Sequence, residues 1–232
     1  MAYRYETHLH TSPVSKCASG SVKANLEYYK SLGYDGVFIT NHFLDGNINY
    51  DRSAPYEEIL NFYFSDYEEA LTLGEEIGIK VFFGAELSYG GTDFLIYGLD
   101  KAWYLSHPEI MQMKKTDELT LMAREGALII QAHPYREASY IDHIRLYPRH
   151  VHGVEINNAK RTALENSMAE HYAKSYQLIP FAGTDNHTAS ASRHLCGMEF
   201  DETIKSEFDF VMKIKDGFGS VFCIDVETED KG

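Results

Sequence analysis

Short apolar runs alternate with amphipathic stretches along the chain, and the alternation predicts a β/α protein. Residues 4–8 form the first β-rich run. In 22–32, Val22, Leu26, Tyr29 and Leu32 recur at three- and four-residue spacing, the period of one helix face. Ser19 and Ser21 are candidate N-caps for that helix, and Gly33 is its natural stop. Residues 37–39 read as a compact buried strand ending at Asn41-His42. A long helical pattern over 56–77 stops at Gly78, and a strand over 80–83 leads to Glu86. Its aromatic residues, Tyr56, Phe62, Tyr63, Phe64 and Tyr67, suit a helix packed on a sheet. Further strands are predicted over 94–97, 127–131, 151–157, 179–182 and 221–226, and helices over 117–125, 160–176 and 203–215.

Strands alternating with helices imply a largely parallel sheet covered by helices. Seven or eight such units in 232 residues predict a single domain over 1–232, built as a closed or slightly distorted (β/α) barrel. A doubly wound open sheet is the alternative. The barrel is favoured because polar groups follow strand after strand, whereas an open sheet gathers them near one switch point.

Composition narrows the function. The net charge of −14 disfavours long nucleic acid bound on a broad basic surface. It leaves room for a small anionic substrate, because bound cations make a pocket locally positive. No apolar run of about 18 residues is present, so no membrane-spanning helix is expected. The first residues lack a signal-like apolar region, and residues 230–232 read as a polar tail. Cys17, Cys196 and Cys223 are widely spaced and form no CxxC pattern, which reads as reduced thiols in a cytoplasmic protein.

The chemistry-bearing residues sit just beyond the apolar runs. His8 and His10 are two apart, so on a strand they share a face with Cα atoms about 7 Å apart. Asp185-Asn186-His187 repeats the spacing near the other end of the chain. His42, Glu86 and His133 each follow a predicted strand. Singly, each has a plainer reading: hydrogen-bonded strand-end histidines, a solvated glutamate, a turn aspartate. Together, five strand ends offer the His, Glu and Asp donors favoured by zinc, manganese and iron.

The ordered set HLH, ITNH, GAEL, QAHP and GTDNH resembles the polymerase-and-histidinol-phosphatase (PHP) family, from Glu6 to about Gly197. Each motif alone is weak; five in order are specific. The resemblance implies a distorted (β/α)7, TIM-like barrel with its active site at the C-terminal ends of the strands. It also implies two or three divalent ions (zinc, manganese or iron) serving phosphoester hydrolysis. Carried over by position, His8, His10, Glu86 and Asp185 hold a first ion. Glu86 bridges to a second, held by His133 and by Asp93, which stands where the family usually places a histidine. His42 and His187 hold a third, or act as catalytic proton donors when that site is empty.

Two positions depart from the family pattern. Asn41 stands where an aspartate is common, and Ser15, Lys16 and Cys17 stand where a histidine or aspartate often lies. Cys17 is a candidate ligand for a soft metal and Lys16 a candidate stand-in for a cation's charge, but Cys17 reads better as a small packed loop residue, so two ions are better supported than three. Arg136 and Arg193 are candidate phosphate-binding residues, while Arg161 reads as surface. Glu155 and Asn157, on one face of a strand, are candidates to support the site from behind. The remaining histidines, including His194, lack a motif.

The expected activity is a metal-dependent phosphoric ester hydrolase acting on a small phosphomonoester or nucleotide. A histidinol-phosphate phosphatase is one alternative. A metal-dependent amidohydrolase or a non-catalytic metal-binding barrel are others. Metal identity and oligomeric state stay open.

Overall fold

The computed structural model describes residues 2–190 and 194–225. In chain order the elements are β1 (Tyr3–Leu9), α1 (Val22–Ser31), β2 (Gly36–Ile39), α2 (Tyr56–Ile77), β3 (Lys80–Tyr89), β4 (Thr92–Tyr97) and α3 (Lys101–Ser106). A short 3-10 helix (Pro108–Gln112) leads to α4 (Lys115–Arg124), β5 (Leu128–Ala132), β6 (Gly153–Asn158) and α5 (Ala163–Tyr176). Then come β7 (Ile179–Gly183), β8 (His194–Phe200), α6 (Glu207–Lys215) and β9 (Ser220–Asp225).

The helix boundaries follow local chemistry. Ser21 caps α1 by accepting the Ala24 N–H, and α2 stops at Gly78, whose φ of 78° suits only glycine without strain. The fifth helix starts at Ala163, later than the expected 160. Thr162 and Glu165 form a capping box, each side chain bonding the other's backbone N–H.

Among the described residues, nine strands form one sheet in the order β7-β6-β5-β4-β3-β2-β1-β8-β9. The runs β1-β2-β3 and β5-β6-β7 are parallel. The sheet curls until β7 lies beside β1 and β8. There the Thr7 hydroxyl donates to the Ala182 carbonyl, and His10 N–H to the Asn186 carbonyl, at 2.5 and 3.0 Å. The result is a nearly closed, barrel-like sheet with helices outside it.

The topology departs from a strict β/α repeat. Strand β4 runs antiparallel to both neighbours, and β8 is antiparallel to β1 and β9. The reason for β4 is local. Gly90 and Gly91 both have positive φ, 56° and 83°, which makes a tight hairpin in place of a helical crossover. Strand β8 is missed by the hydrophobic pattern, because Gly197 interrupts it. Val226 and the 230–232 tail lie outside the described residues. Cys196 and Cys223, far apart in sequence, face each other across β8 and β9 with sulfurs 2.9 Å apart; both are free thiols.

An aromatic plug fills the barrel beneath the site. Phe38 stacks on Phe82 and meets Phe210 and Tyr97, with ring centroids 4.9, 4.2 and 5.3 Å away. The Tyr97 hydroxyl donates to the Thr7 carbonyl at 2.7 Å and so satisfies its one polar atom. A second apolar layer, with Tyr63, Phe64, Phe83 and Tyr104, holds α2 against β3, as its aromatic spacing anticipates. No helix among the described residues is long and apolar enough to cross a membrane.

Glycine is required where β8 crosses β1. A Cβ on Gly197 would lie 2.2 Å from the Tyr5 carbonyl oxygen, a backbone atom that cannot swing aside. Gly197→Ala is therefore expected to destabilise the fold by about 1–3 kcal/mol or more. Chemical denaturation checks this; an unchanged midpoint would show that the two strands are not so close.

Candidate metal centre

The strand ends converge on a cavity of about 780 Å³. His8 and His10 leave β1 with ring centroids 5.2 Å apart. Glu86 comes from the middle of β3, His133 follows β5 and Asp185 follows β7. Two of these residues carry unusual backbone geometry. His133 precedes a proline, which predicts an extended conformation, yet its φ is 24°. Its N–H is held by Glu155 Oε2 at 2.9 Å, and its carbonyl accepts the Arg136 N–H. Asp185 has φ 55°. Strain of this kind persists only where surrounding contacts enforce it.

The donor atoms face one another closely. His8 Nε2 lies 3.2 Å from Glu86 Oε1 and 3.6 Å from Asp185 Oδ1. His10 Nε2 lies 3.4 Å from Glu86 Oε2 and 3.5 Å from Asp185 Oδ1. His133 Nε2 is 3.3 Å from Glu86 Oε1 and 3.9 Å from Asp93 Oδ2. His42 lies tilted against His10 and His187 stacks on it, with centroids 4.4 and 4.3 Å away. Three overlapping groups have the compactness of metal sites: His8, His10 and Asp185; His8, Glu86 and His133; His10, His42 and His187. Six of the eight residues predicted as ligands line the cavity, Asp93 among them and paired also to Arg136 at 3.5 Å, while His8 and His10 lie buried behind Glu86 and Asp185.

The residues fit cations. His8 Nε2, His10 Nε2, His42 Nδ1 and Glu86 Oε2 are buried without a hydrogen-bond partner. His42 Nδ1 is only 2.6 Å from Glu86 Oε2, but the two are not aligned as a hydrogen bond. Unpartnered polar atoms in a dry site are costly, and a divalent ion that displaces the protons satisfies several at once.

The far side of each ring supports this. Glu155 accepts from His8 Nδ1 at 2.9 Å, and the Asp185 carbonyl accepts from His187 Nδ1 at 2.8 Å. Both arrangements turn Nε2 towards the cavity. Asn158 donates to Glu155 Oε2 at 2.9 Å and approaches Asp185 Oδ2 at 3.4 Å. Strand alternation points to Asn157 for that place. A bulge between Glu155 and Asn157 shifts the period by one, and Asn157 faces a neighbouring groove.

Electrostatics follow from burial. Burial works against charge on His8, but Glu155, Asp185 and Glu86 outweigh it and hold its imidazole well above the ordinary range. Burial likewise opposes ionisation of Glu86, yet His42, His8 and His10 hold it well below the usual carboxylate range. Asp185 is lowered in the same way, against burial, chiefly by His8. His10 is the exception: burial, with His42 and His187 beside it, pushes it down to about 3, so it is neutral.

Cys17 lies where packing in the loop does not put it. Its thiol lines the cavity beside His187 and His42; burial raises it, but these two outweigh that and lower it to about 6. Arg136 reaches the cavity wall, its guanidinium 5.6 Å from the Tyr140 ring centroid. Arg161 also lines the cavity, contrary to its reading as surface, and so does Lys160. The short loop after β6 brings both basic residues to the cavity, Lys160 at its exposed rim, which periodicity does not reveal. Arg193 lies outside the described residues. His194 pairs with Asp225 on the edge strands and is not in the cluster.

No family model and no curated protein matches the chain. Solved structures do. One is a two-domain protein containing a predicted PHP-like metal-dependent phosphoesterase from Bacteroides vulgatus ATCC 8482, at 13% identity and a TM-score of 0.69. The likeness covers 96% of this chain, which spans 65% of that protein's length. PsfC from Pseudomonas syringae PB-5123 is similar at 14% identity and a TM-score of 0.66, over 97% of this chain and 92% of its own. These likenesses show the fold, which this chain shares with a protein containing a predicted PHP-like phosphoesterase.

One buried acid behind the site gives a test. Glu6 Oε1 accepts from the His8 and Thr184 backbone N–H groups at 2.8 and 3.0 Å, while Oε2 has no partner. Burial raises its carboxyl from 4.5 to about 7. The folded state then holds a proton that the unfolded state releases near 4.5. This contribution to stability is full below about pH 4.5 and is lost as pH rises through 7, about 3 kcal/mol in all. In metal-free protein, Glu6→Gln should flatten that part of the pH–stability profile, as read by urea denaturation between pH 4 and 8. A profile identical to wild type would show that Glu6 ionises normally.

Proposed function

We propose that this chain is a PHP-type metal-dependent phosphoesterase that hydrolyses a small phosphate ester, a phosphomonoester or nucleotide, at a centre of two or three zinc, manganese or iron ions. The observation that carries the reading is the pairing of the cavity's floor and wall. Unpartnered imidazole nitrogens and an unpartnered Glu86 oxygen form the floor, and Arg136, Lys160 and Arg161 line the wall. Metal donors opposite cationic side chains suit a compact dianion. We read the barrel as a distorted (β/α)7, with the antiparallel strands as its distortion, and the enzyme as cytoplasmic.

His8, His10, Glu86 and Asp185 would hold a first ion, and Glu86, His133 and Asp93 a second. Divalent ions in such a site lower the pKa of water towards neutrality and offset charge on a phosphoryl group. The protein's own groups then orient the ester. Arg136, steadied by Asp93 and Tyr140, offers paired N–H donors to the phosphoryl oxygens. Lys160 and Arg161 add charge on the same side, where negative charge grows during in-line displacement. His187, with Nδ1–H held by the Asp185 carbonyl, and His42 line the cavity, where either can protonate the leaving oxygen when no third ion is bound.

Cys17 bears on the third ion. Between His42 and His187 its thiolate would complete a softer donor set than the other two positions.

Two outcomes test this. His10→Ala and Asp185→Ala should lose bound metal and lower turnover of a phosphomonoester panel by at least about 100-fold while the protein stays folded. Unchanged turnover would overturn the assignment. In cobalt-loaded protein, a thiolate-to-cobalt charge-transfer band should appear and vanish in Cys17→Ser; a band that persists, or none in wild type, would remove Cys17 from the third site.

A further inference from the structure

We infer that Asp66, Asn41 and Ser15 form a chain of hydrogen bonds whose polarity decides which nitrogen of His10 carries its proton, leaving Nε2 bare towards the metal centre. The argument starts from groups whose roles are fixed. The Thr11 backbone N–H can only donate, and it points at one end of the Asn41 amide at 2.7 Å. That end must be Oδ1. The other end, Nδ2, lies 3.2 Å from Asp66 Oδ2 and 2.8 Å from Thr11 Oγ1. Asp66 Oδ2 also receives the Thr11 hydroxyl at 2.7 Å and the Val14 N–H at 3.2 Å. Three donors converge on that oxygen, so it accepts whether or not the acid is ionised. Turning the amide over would set its NH2 against the Thr11 N–H and its oxygen against the carboxylate.

The polarity then passes to Ser15. Its hydroxyl lies 2.8 Å from Asn41 Oδ1, which can only accept, so Ser15 spends its single proton there. The His42 backbone N–H takes one Ser15 lone pair at 3.1 Å. The remaining lone pair faces His10 Nδ1 at 3.2 Å. His10 Nδ1 must therefore donate, and a neutral imidazole has only one N–H. Nε2 is left without a proton.

This outcome is not the one the cavity would select by itself. Glu86 Oε2 and Asp185 Oδ1, 3.4 and 3.5 Å from Nε2, would draw the proton to that nitrogen. The relay opposes them. Asp66 sits on α2 and touches no candidate ligand, so it acts as a positioning residue, through Asn41 and Ser15.

The test is tautomer assignment by long-range ¹H–¹⁵N correlation in full-length, metal-stripped protein, together with zinc affinity by chelator competition. Wild-type His10 should be the Nδ1–H tautomer. Asn41→Leu removes the acceptor for Ser15, whose hydroxyl then turns to donate to Nδ1, so His10 should become Nε2–H. Ser15→Ala should do the same by removing the acceptor at Nδ1, and it carries the test if Asn41→Leu fails to fold. Asp66→Leu should give a mixture, and Asp66→Asn, which keeps an acceptor oxygen, should restore Nδ1–H. Zinc affinity should fall about 10–100-fold in Asn41→Leu and Ser15→Ala, the usual cost of losing a group that orients a ligand, and stay near wild type in Asp66→Asn. An Nε2–H tautomer in wild type, or Nδ1–H retained in both Asn41→Leu and Ser15→Ala, would overturn the relay. A single Nδ1–H tautomer in Asp66→Leu would remove Asp66 from it. The affinity arm alone rests on the metal-centre reading: a shifted tautomer with unchanged zinc affinity would uphold the relay and remove His10 from the ligands.

Discussion

Two ionised carboxylates, Glu86 and Asp185, are held in a nearly dry interior, and most of the cavity is built around that constraint. An uncompensated buried charge costs several kcal/mol even after relaxation. Here five imidazoles surround the two acids. In the metal-free protein, protons on His8, His42 and His133 are held against burial to supply the missing positive charge. The same nitrogens are the candidate metal donors. Proton and cation thus compete for one role, which is why metal affinity in such sites rises as protons leave.

The constraint explains the rigidity behind the ligands. A ring can serve the cavity only if its far nitrogen is occupied. Glu155 does this for His8, the Asp185 carbonyl for His187, and Ser15 for His10. These partners come from β6, the loop after β7 and the loop after β1. Each depends on its own neighbours in turn, such as Asn158 behind Glu155. The aromatic plug of Phe38, Phe82, Tyr97 and Phe210 fixes the strands beneath, so the donors cannot drift apart. Strained backbone at His133 and Asp185 is tolerated because both sides of each residue are bonded into this frame.

Much of this was legible in the sequence, for a simple reason. A hydrophobic run followed by His, Glu or Asp marks both a buried strand and a polar end, so the candidate donors could be read from their places after the strands, and their grouping from the resemblance to the PHP family. Helix α2 was legible in the same way, from aromatic period and the Gly78 stop. The supporting residues were not. Asn158 replaces Asn157 because of a bulge, which leaves no trace in a periodic pattern. Arg161 and Lys160 reach the cavity because of a loop. Strand β8 is hidden by Gly197, whose absent side chain lets two backbones meet.

The sequence by itself determined the sheet-and-helix alternation, the placing of donors at strand ends, and which residue types face the cavity, because these follow from local periodicity and side-chain chemistry. Only the tertiary structure decided the direction of β4 and β8, the approach of β7 to β1, the place of Cys17 between two histidines, and the Asp66–Asn41–Ser15 chain behind His10. Each of these joins residues far apart in sequence. Such contacts are selected by closure of the sheet and by the need to pair every buried polar atom, not by any one segment's own preference.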